Sequence, residues 1–457
     1  MGGKMVDYLN KETAVIGLAV SNTPLIRYLV NQGARVTVFD KKTSTDLQEY
    51  LGKLADLKLN YCLGEDYLTH LNGFEYIFVT PGMKKDIPEF QKARETGAIF
   101  SSEMELFLEK CPGRIIGITG SSGKTTTTTL IGLMVASEYP ATFIGGNIGR
   151  SLMDQLPRMN AESRVILELS SFQLQSLKQS PHLAIITNIT PNHLDMHASM
   201  EEYIDAKSNI LRYQGPDDVA ILNYDNEITH NLRNLVRGRL VYFSRKQRLE
   251  EGAYLEGDQL VISLEGKTEL LTTRGNLKLL GDHNVENILT AALAGRLSNV
   301  SLSSLTKVAE EFNGVEHRLE LVRDLRGVFY YNDSISTTPD RAIAGLLAMT
   351  KPTVLIAGGY DKRLPFDSLA SVIVKKCKCL VVLGVTAPLI IKAIKAIQSD
   401  FPIISVTTFE QAVAAASRMV APGEVVLLSP ACASYDMFKN YRERGLLFKK
   451  LVNAMNP

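Results

Sequence analysis

The stretch 114–126 restricts the possible folds of this chain more than any other. An apolar run over 114–119 leads into Gly120-Ser121-Ser122-Gly123-Lys124-Thr125-Thr126, and a helical pattern follows. A strand that is apolar on both faces must lie inside a sheet, and a glycine loop between such a strand and a helix is an α/β arrangement with parallel strands. In that setting the loop is a phosphate cradle. Glycines turn backbone N–H groups toward phosphate oxygens, and the helix N-terminus adds partial positive charge. Lys124 neutralises the β- and γ-phosphates, and Thr125 can ligate Mg²⁺. Residues 120–126 are therefore the candidate nucleoside-triphosphate contacts. Ile118 stands where the general Gly-x-x-x-x-Gly-Lys-Ser/Thr pattern has its first glycine. A Gly-Lys-Thr in an unrelated loop is the bland alternative, and the strand before it and the helix after it count against that.

The same alternation runs along the chain. Residues 13–18 read as strand, 24–32 as helix closed by Gly33, and 35–40 as strand, which is a βαβ unit. A further run at 76–79 ends in Thr80-Pro81-Gly82, and Ile99-Phe100 precedes Ser101-Ser102. A break at Cys111-Pro112-Gly113 opens the second unit, with strands at 165–169 and 184–188. After Asn313-Gly314 the pattern restarts at 328–331, 353–357, 379–383 and 425–428. Three α/β domains are expected, at 1–111, 112–314 and 315–457. A length of 457 residues, at roughly 150 per domain, agrees. Neither a solenoid repeat nor a low-complexity segment is visible.

Charge and cysteine usage narrow the classes. Lysine plus arginine (50) balances aspartate plus glutamate (49), so no overall field favours nucleic acid or an anionic membrane, and anionic ligands must be held locally. The five cysteines, at 62, 111, 377, 379 and 432, are odd in number and form no Cys-x-x-Cys pair. Free thiols in a reducing cytoplasm are expected. No segment approaches the ~20 apolar residues of a membrane span, and no apolar signal region begins the chain. Met1-Gly2 does not make a myristoylation signal, because Val6 stands where Ser or Thr is needed.

Two further groups sit at the phosphate-loop edge. Glu168 ends the strand 165–169, where a carboxylate can hold Mg²⁺ directly or through water. His193 follows the next strand in Thr187-Asn188-Ile189-Thr190-Pro191-Asn192-His193-Leu194-Asp195, with a surface helix cap as its alternative reading. Lys207, in a helical phrase over 203–210, reads from spacing alone as an ordinary solvated lysine. In the first domain, Gly17-Leu18-Ala19-Val20-Ser21-Asn22 is a degraded glycine loop, and Asp40 closes the second strand where a ribose-binding acid is expected. Alone this is a weak dinucleotide signal.

Together these stretches resemble the Mur ligase family of peptidoglycan synthesis, over the whole chain. Glu-Leu-Ser-Ser-Phe-Gln-Leu (168–174), Gly-Gly-Asn-Ile-Gly (145–149) and Leu-Ser-Pro-Ala-Cys-Ala-Ser (428–434) are similar to its glutamate-adding members. The resemblance implies an N-terminal Rossmann-like uridine-nucleotide domain, a central P-loop ATPase domain with a parallel sheet, and a C-terminal Rossmann-like α/β domain. It implies a cytoplasmic monomer that uses ATP to join D-glutamate to UDP-N-acetylmuramoyl-L-alanine through an acyl phosphate, with no nucleic-acid or membrane partner. Two Mg²⁺ ions and a CO₂-derived carbamate on Lys207 are part of the same implication, with Thr125, Glu168, His193 and the Lys207 carbamate as ligands. Lys124, Glu168, His193 and Lys207 become the catalytic set. By the same transfer Asn284 and Asn287 read adenine, Arg318 meets phosphate, and Asp333 meets ribose or Mg²⁺. The uridine substrate falls to Ala19, Val20, Ser21, Asn22, Asp40, Lys41, Thr80, Gly82 and Asn147. The amino acid falls to Thr337, Lys362, Ser434, Tyr435 and Tyr441; a lysine and hydroxyls suit a free carboxylate. Division of the ATP contacts between the second and third domains implies closure on binding.

Departures from the family pattern are Ile335, where a lysine is common, and Ala19 and Asn22, where glycines are usual. Competing readings are the same chemistry with L-glutamate, another Mur-type ligase, a folylpolyglutamate synthase, a non-catalytic nucleotide-binding regulator, and a nicotinamide dehydrogenase. The chain lacks the Asp-Asn-Pro-Arg of diaminopimelate-adding members, and it has Ser336-Thr337-Thr338-Pro339 in place of the Asn-Ala-Asn-Pro of D-alanyl-D-alanine-adding ones. Folate ligases lack a separate uridine domain. The regulator does not explain Lys124, Glu168, His193 and Lys207 together, and the dehydrogenase leaves the phosphate loop unexplained.

Overall fold

The computed structural model describes residues 8–84, 86–148, 151–191, 197–279, 281–362 and 364–456. Three sheets occur among them, distributed over two compact units: Met1–Asn276 with Val285–Glu310, and Leu277–Asn284 with Glu311–Pro457.

In the first unit, one sheet runs in the order Asn60–Leu63, Arg35–Asp40, Glu12–Ile16, Tyr76–Val79, Ile99–Ser101, all parallel. Chain order reverses between Glu12–Ile16 and Tyr76–Val79, and such a switch opens a crevice at the carboxyl ends of the strands. Gly17 and Thr80 meet there. Gly17 has φ +89°, and a Cβ on it would stand 3.0 Å from the Thr80 side chain, so only glycine fits.

The central sheet is larger. Its order is Lys267–Thr273, Gln259–Leu264, Gly252–Glu256, Arg239–Ser244, Val219–Asn223, Leu183–Ile186, Arg114–Thr119, Arg164–Glu168, Thr142–Gly146. Pairing is parallel from Thr142–Gly146 as far as Gly252–Glu256, then antiparallel through two hairpins. The Arg114–Thr119 strand lies between Arg164–Glu168 and Leu183–Ile186. The phosphate loop, Glu168 and the segment after Ile186 therefore leave the sheet side by side. The two sheets share one core: Leu25, Ile26 and Leu29 of helix Asn22–Asn31 are buried in the same cluster as Leu152, Met153 and Leu156. Each such side chain contributes roughly 1.5–3 kcal/mol on burial.

The second unit has the order Glu320–Leu325, Val328–Asn332, Val425–Leu428, Thr353–Ala357, Cys377–Val382, Ile403–Ser405; only the first pair is antiparallel. Leu355 and Ala357 enter one core with Leu369 and Ile373, while Val354 and Ile356 enter another with Phe409 and Phe448. Burial on both faces is why these strands read as unbroken apolar runs.

Candidate active site

The phosphate loop is shaped by its neighbours as much as by its own sequence. Gly120 has φ +151°, and a Cβ there would come within 1.9 Å of Thr187 Oγ1; Gly123, at φ +79°, would meet Asn287 Oδ1 at 2.5 Å. A side chain at Gly120 would collide, and one at Gly123 would strain the left-handed backbone and push Asn287 aside. The Ser121 N–H donates to the Asn188 carbonyl (2.8 Å) and the Ser122 N–H to Asn188 Oδ1 (3.0 Å). The amides left for phosphate lie at the head of helix Lys124–Ala136, where first-turn N–H groups have no partner within the helix.

Two lysines converge on the loop. Lys124 Nζ donates to the Gly120 carbonyl at 2.8 Å, and Lys207 Nζ donates to the same oxygen at 2.9 Å and to Thr119 Oγ1 at 3.3 Å. Lys207 belongs to helix Met200–Arg212, whose N-cap Ser199 accepts the Glu202 N–H. It is 1% exposed, which corrects the reading from spacing as a solvated lysine. Tyr203, Ala206, Lys207, Ile210 and Leu211 share the buried face of that helix. The Tyr203 ring lies 4.7 Å from Lys207 Nζ, and its hydroxyl shares a hydrogen bond with Ser121 Oγ. Burial above all, and then the Lys124 ammonium, bring the Lys207 amine from 10.5 down to about 6, against the opposing pull of Glu168.

Glu168, at the end of its strand, is 3% exposed. Thr125 Oγ1 donates to its Oε2 (2.7 Å) and Asn147 Nδ2 to its Oε1 (2.8 Å), so each carboxylate oxygen has a fixed donor. The Asn147 N–H also donates to the Glu168 carbonyl (2.8 Å). Asn147, expected at the uridine substrate, also holds the carboxylate in place. Beyond Glu168, Ser170 and Gln173 form a capping box that starts the short helix Ser171–Leu174. His197, which sequence reasoning did not single out, is 3% exposed, shares a 2.9 Å hydrogen bond with Ser171 Oγ and stacks on Phe172 at 5.0 Å and 3°. No periodicity marks it. His193 lies outside the described residues.

The remaining first-unit candidates fall in two places. Asn287, 5% exposed, accepts from Thr127 Oγ1 at 3.1 Å, and so lies beneath the phosphate loop. Asn22 is 1% exposed and donates to the Ile16 (3.2 Å) and Gly17 (2.7 Å) carbonyls, stapling the loop to the first helix. Asp40 accepts from the Leu18 N–H (2.6 Å) and the Lys42 N–H (2.9 Å), and Lys41 pairs with Glu65 at 3.3 Å. Val20 and Gly82 are exposed, and Ala19, Ser21 and Thr80 are half-buried.

In the second unit, loops after adjacent strands meet. The Gly358 N–H donates to the Pro430 carbonyl and the Tyr360 N–H to the Ala433 carbonyl (2.8 and 2.9 Å), which brings the Lys362 loop beside Ser434 and Tyr435. Lys362 and Tyr435 are exposed, Thr337 and Tyr441 half-buried, and Ser434 buried. Asp333 is buried and accepts from Ser336 Oγ (2.6 Å), Ser429 Oγ (2.8 Å) and the Leu319 N–H (3.2 Å). Burial pushes its carboxyl up to about 6 against those hydrogen bonds. Arg318 lies between His317 (φ 65°) and Leu319 (φ 44°), two left-handed non-glycine residues that fix the turn carrying it. Asn284 is buried in the first turn of helix Asp282–Leu297. Arg444, also unforeseen, is 1% exposed, and burial brings its guanidinium down to about 10.

Family models match along the chain: the Mur ligase MurD-like N-terminal domain at 11–101, the Mur ligase middle domain at 118–295 and the Mur ligase glutamate ligase domain at 317–432. The chain belongs to the Mur ligase family. It is 48% identical over 453 residues to the UDP-N-acetylmuramoylalanine–D-glutamate ligase of Acetivibrio thermocellus, covering 98% of this chain and 97% of that one. It is also 48% identical over 450 residues to the enzyme of the same name from Clostridium novyi, with the same coverage of 98% and 97%. Among solved structures, the UDP-N-acetylmuramate–alanine ligase MurC of Thermotoga maritima shares the fold at TM-score 0.60 and 18% identity, covering 97% of this chain and 100% of that one. MurF of Acinetobacter baumannii does so at 0.59 and 16%, covering 84% and 92%.

Proposed function

We propose that this chain is an ATP-dependent ligase that joins D-glutamate to UDP-N-acetylmuramoyl-L-alanine in peptidoglycan precursor synthesis. The observation that carries this reading is the convergence of Lys124, Thr125, Glu168 and Lys207 on one glycine loop, in a chain 48% identical to ligases of that name. We assign the uridine substrate to the first sheet's carboxyl edge, ATP to residues 120–126, and the amino acid to Thr337, Lys362, Ser434, Tyr435 and Tyr441. The division at 1–111, 112–314 and 315–457 belongs to the same proposal. Consumption of ATP and free thiols at all five cysteines support a cytoplasmic location, the monomeric state belongs to the same proposal, and no helix among the described residues is long and apolar enough to cross a membrane.

The residues fit Mg²⁺. No group of three or more His, Cys, Asp or Glu able to hold a metal occurs among the described residues. Mg²⁺ is commonly bound by one or two carboxylates, water and substrate phosphates, and Glu168 with the Thr125 hydroxyl offers such oxygen donors. When bound with ATP, it would neutralise charge on the transferring phosphoryl group. His193 and a modified Lys207 complete the proposed set. Lys207 suits carbamylation, because a buried amine at about 6 is largely unprotonated at neutral pH. Its nitrogen attacks CO₂, an N–C bond forms, one proton leaves, and a singly negative carbamate replaces the neutral amine beside Lys124.

The alanyl carboxylate takes the γ-phosphoryl group of ATP and ADP departs, leaving an acyl phosphate. Lys124 and the helix amides stabilise the negative charge on that group, the largest source of rate in such sites. The unprotonated glutamate amine then attacks the carbonyl carbon, phosphate leaves from the tetrahedral intermediate, and a proton is lost. Phosphate release with UDP-N-acetylmuramoyl-L-alanine, ATP and Mg²⁺ tests the reading, with D-glutamate, L-glutamate or diaminopimelate in separate reactions. Dependence on D-glutamate supports it, and release with L-glutamate alone would replace the substrate and keep the chemistry. Absence of release in all three mixtures would overturn it.

A further inference from the structure

Arg444 is among the largest fully buried side chains of the protein. It lies on helix Tyr441–Asn453, with its guanidinium between two loops of the second unit. Nε donates to Ser334 Oγ (3.0 Å), Nη2 to the carbonyls of Ser334 (2.9 Å) and Cys432 (3.1 Å), and Nη1 to the Ala433 carbonyl (3.4 Å). Ser334 Oγ in turn donates a hydrogen bond to the Tyr441 carbonyl at 2.7 Å. These partners are one hydroxyl and three carbonyls, none of them a carboxylate. Asp436 is the acidic group that acts on the guanidinium, at a distance and without a hydrogen bond to it; a buried charge held that way is costly, and well-packed apolar side chains often serve a core at least as well as buried ions. Stability alone does not explain an arginine here.

Its geometry offers another reason. The guanidinium is a rigid fork of five donors, so one side chain can fix the separation of two backbone segments, which a flexible ammonium cannot do. The segments held are those around Ser334, Cys432 and Ala433, and Tyr441. Thr337 is three residues beyond the first, Ser434 follows the second, and Tyr441 is itself the third. We propose that Arg444 is a positioning residue for the amino-acid subsite: it sets the spacing of Thr337, Ser434 and Tyr441, and through them the affinity for the acidic amino acid, without touching it. This rests on the assignment of those three residues to the amino acid.

The test is a steady-state comparison of wild type, Arg444→Lys, Arg444→Gln and Ser334→Ala, with KM measured for D-glutamate, ATP and the uridine substrate. Both arginine variants are expected to raise KM for D-glutamate about tenfold or more, with the other two KM values within about threefold of wild type. Lysine keeps the charge and loses the fork, so it is expected not to rescue. Should the arginine variants fail to fold, Ser334→Ala carries the same criterion at about threefold, because it removes only the hydroxyl between Nε and the Tyr441 carbonyl. An unchanged KM for D-glutamate in folded variants, or a parallel rise of all three KM values, overturns the proposal. Wild type that releases no phosphate with D-glutamate defeats the functional reading itself, and the inference falls with it.

Discussion

Replacement of Lys207 by methionine is expected to stabilise the first unit while abolishing ligation. The amine stands at about 6 in the folded protein against an ordinary 10.5, and the side chain is 1% exposed. Between those values the unfolded chain holds a proton that the folded chain lacks, so folding at neutral pH must expel it. At about 1.4 kcal/mol per pH unit, the cost is ~6 kcal/mol below pH 6 and ~5 kcal/mol at pH 7, and it vanishes as the pH approaches 10.5. Methionine removes that cost, and forfeits two hydrogen bonds, to the Gly120 carbonyl and Thr119 Oγ1, worth ~2 kcal/mol together. A net gain of ~3 kcal/mol at pH 7 follows, of the kind expected where a functional site holds a strained group. Denaturant unfolding of both proteins in CO₂-free buffer at pH 6.5, 7, 8 and 9 measures it. The difference should shrink by about 1.4 kcal/mol per pH unit as pH rises. A methionine variant less stable than wild type at pH 7, or a difference that does not change with pH, would refute the reasoning.

Other predictions follow from single contacts. Thr125→Val removes the 2.7 Å donor to Glu168, and a hydrogen bond to a charged group is worth roughly 1.5–3 kcal/mol, so kcat should fall about 10- to 100-fold in the phosphate-release assay. Gly123→Ala forces a left-handed alanine whose Cβ meets Asn287 Oδ1 at 2.5 Å; a loss of ~1–3 kcal/mol in unfolding free energy and weaker ATP binding by calorimetry are expected. Glu103 is buried, accepts from Ser151 Oγ at 2.5 Å, and is pushed by burial from 4.5 to about 7. The folded state then holds the extra proton, so stability falls as pH rises through 4.5–7. Glu103→Gln should therefore unfold at higher denaturant than wild type at pH 8, by up to ~3 kcal/mol, and equal it near pH 4.5.

The phosphate loop was legible because its chemistry is local: strand, glycines, lysine and helix are contiguous, and the structure adds only the reason each glycine is required. The parallel cores were legible as apolar runs buried on both faces. The antiparallel edge at 252–273 was overlooked although its signal is present, since Gly257-Asp258 and Glu265-Gly266 fill two-residue turns, and Gly257, Glu265 and Gly266 have positive φ. Lys207 looked ordinary by spacing, yet it falls on the apolar face of its own helix, and a lysine there is a burial signal. The tie between Asn147 and Glu168 spans 21 residues and exists only because Thr142–Gly146 pairs with Arg164–Glu168. His197 and Arg444 act across folds of the chain that no local pattern reports.

The most direct test of carboxyl activation uses UDP-N-acetylmuramoyl-L-alanine labelled with ¹⁸O in its alanyl carboxylate. The account predicts that, in the presence of ATP, Mg²⁺ and D-glutamate, each phosphate released carries one ¹⁸O atom by mass spectrometry. Unlabelled phosphate formed alongside amide product would contradict transfer of the γ-phosphoryl group to that carboxylate.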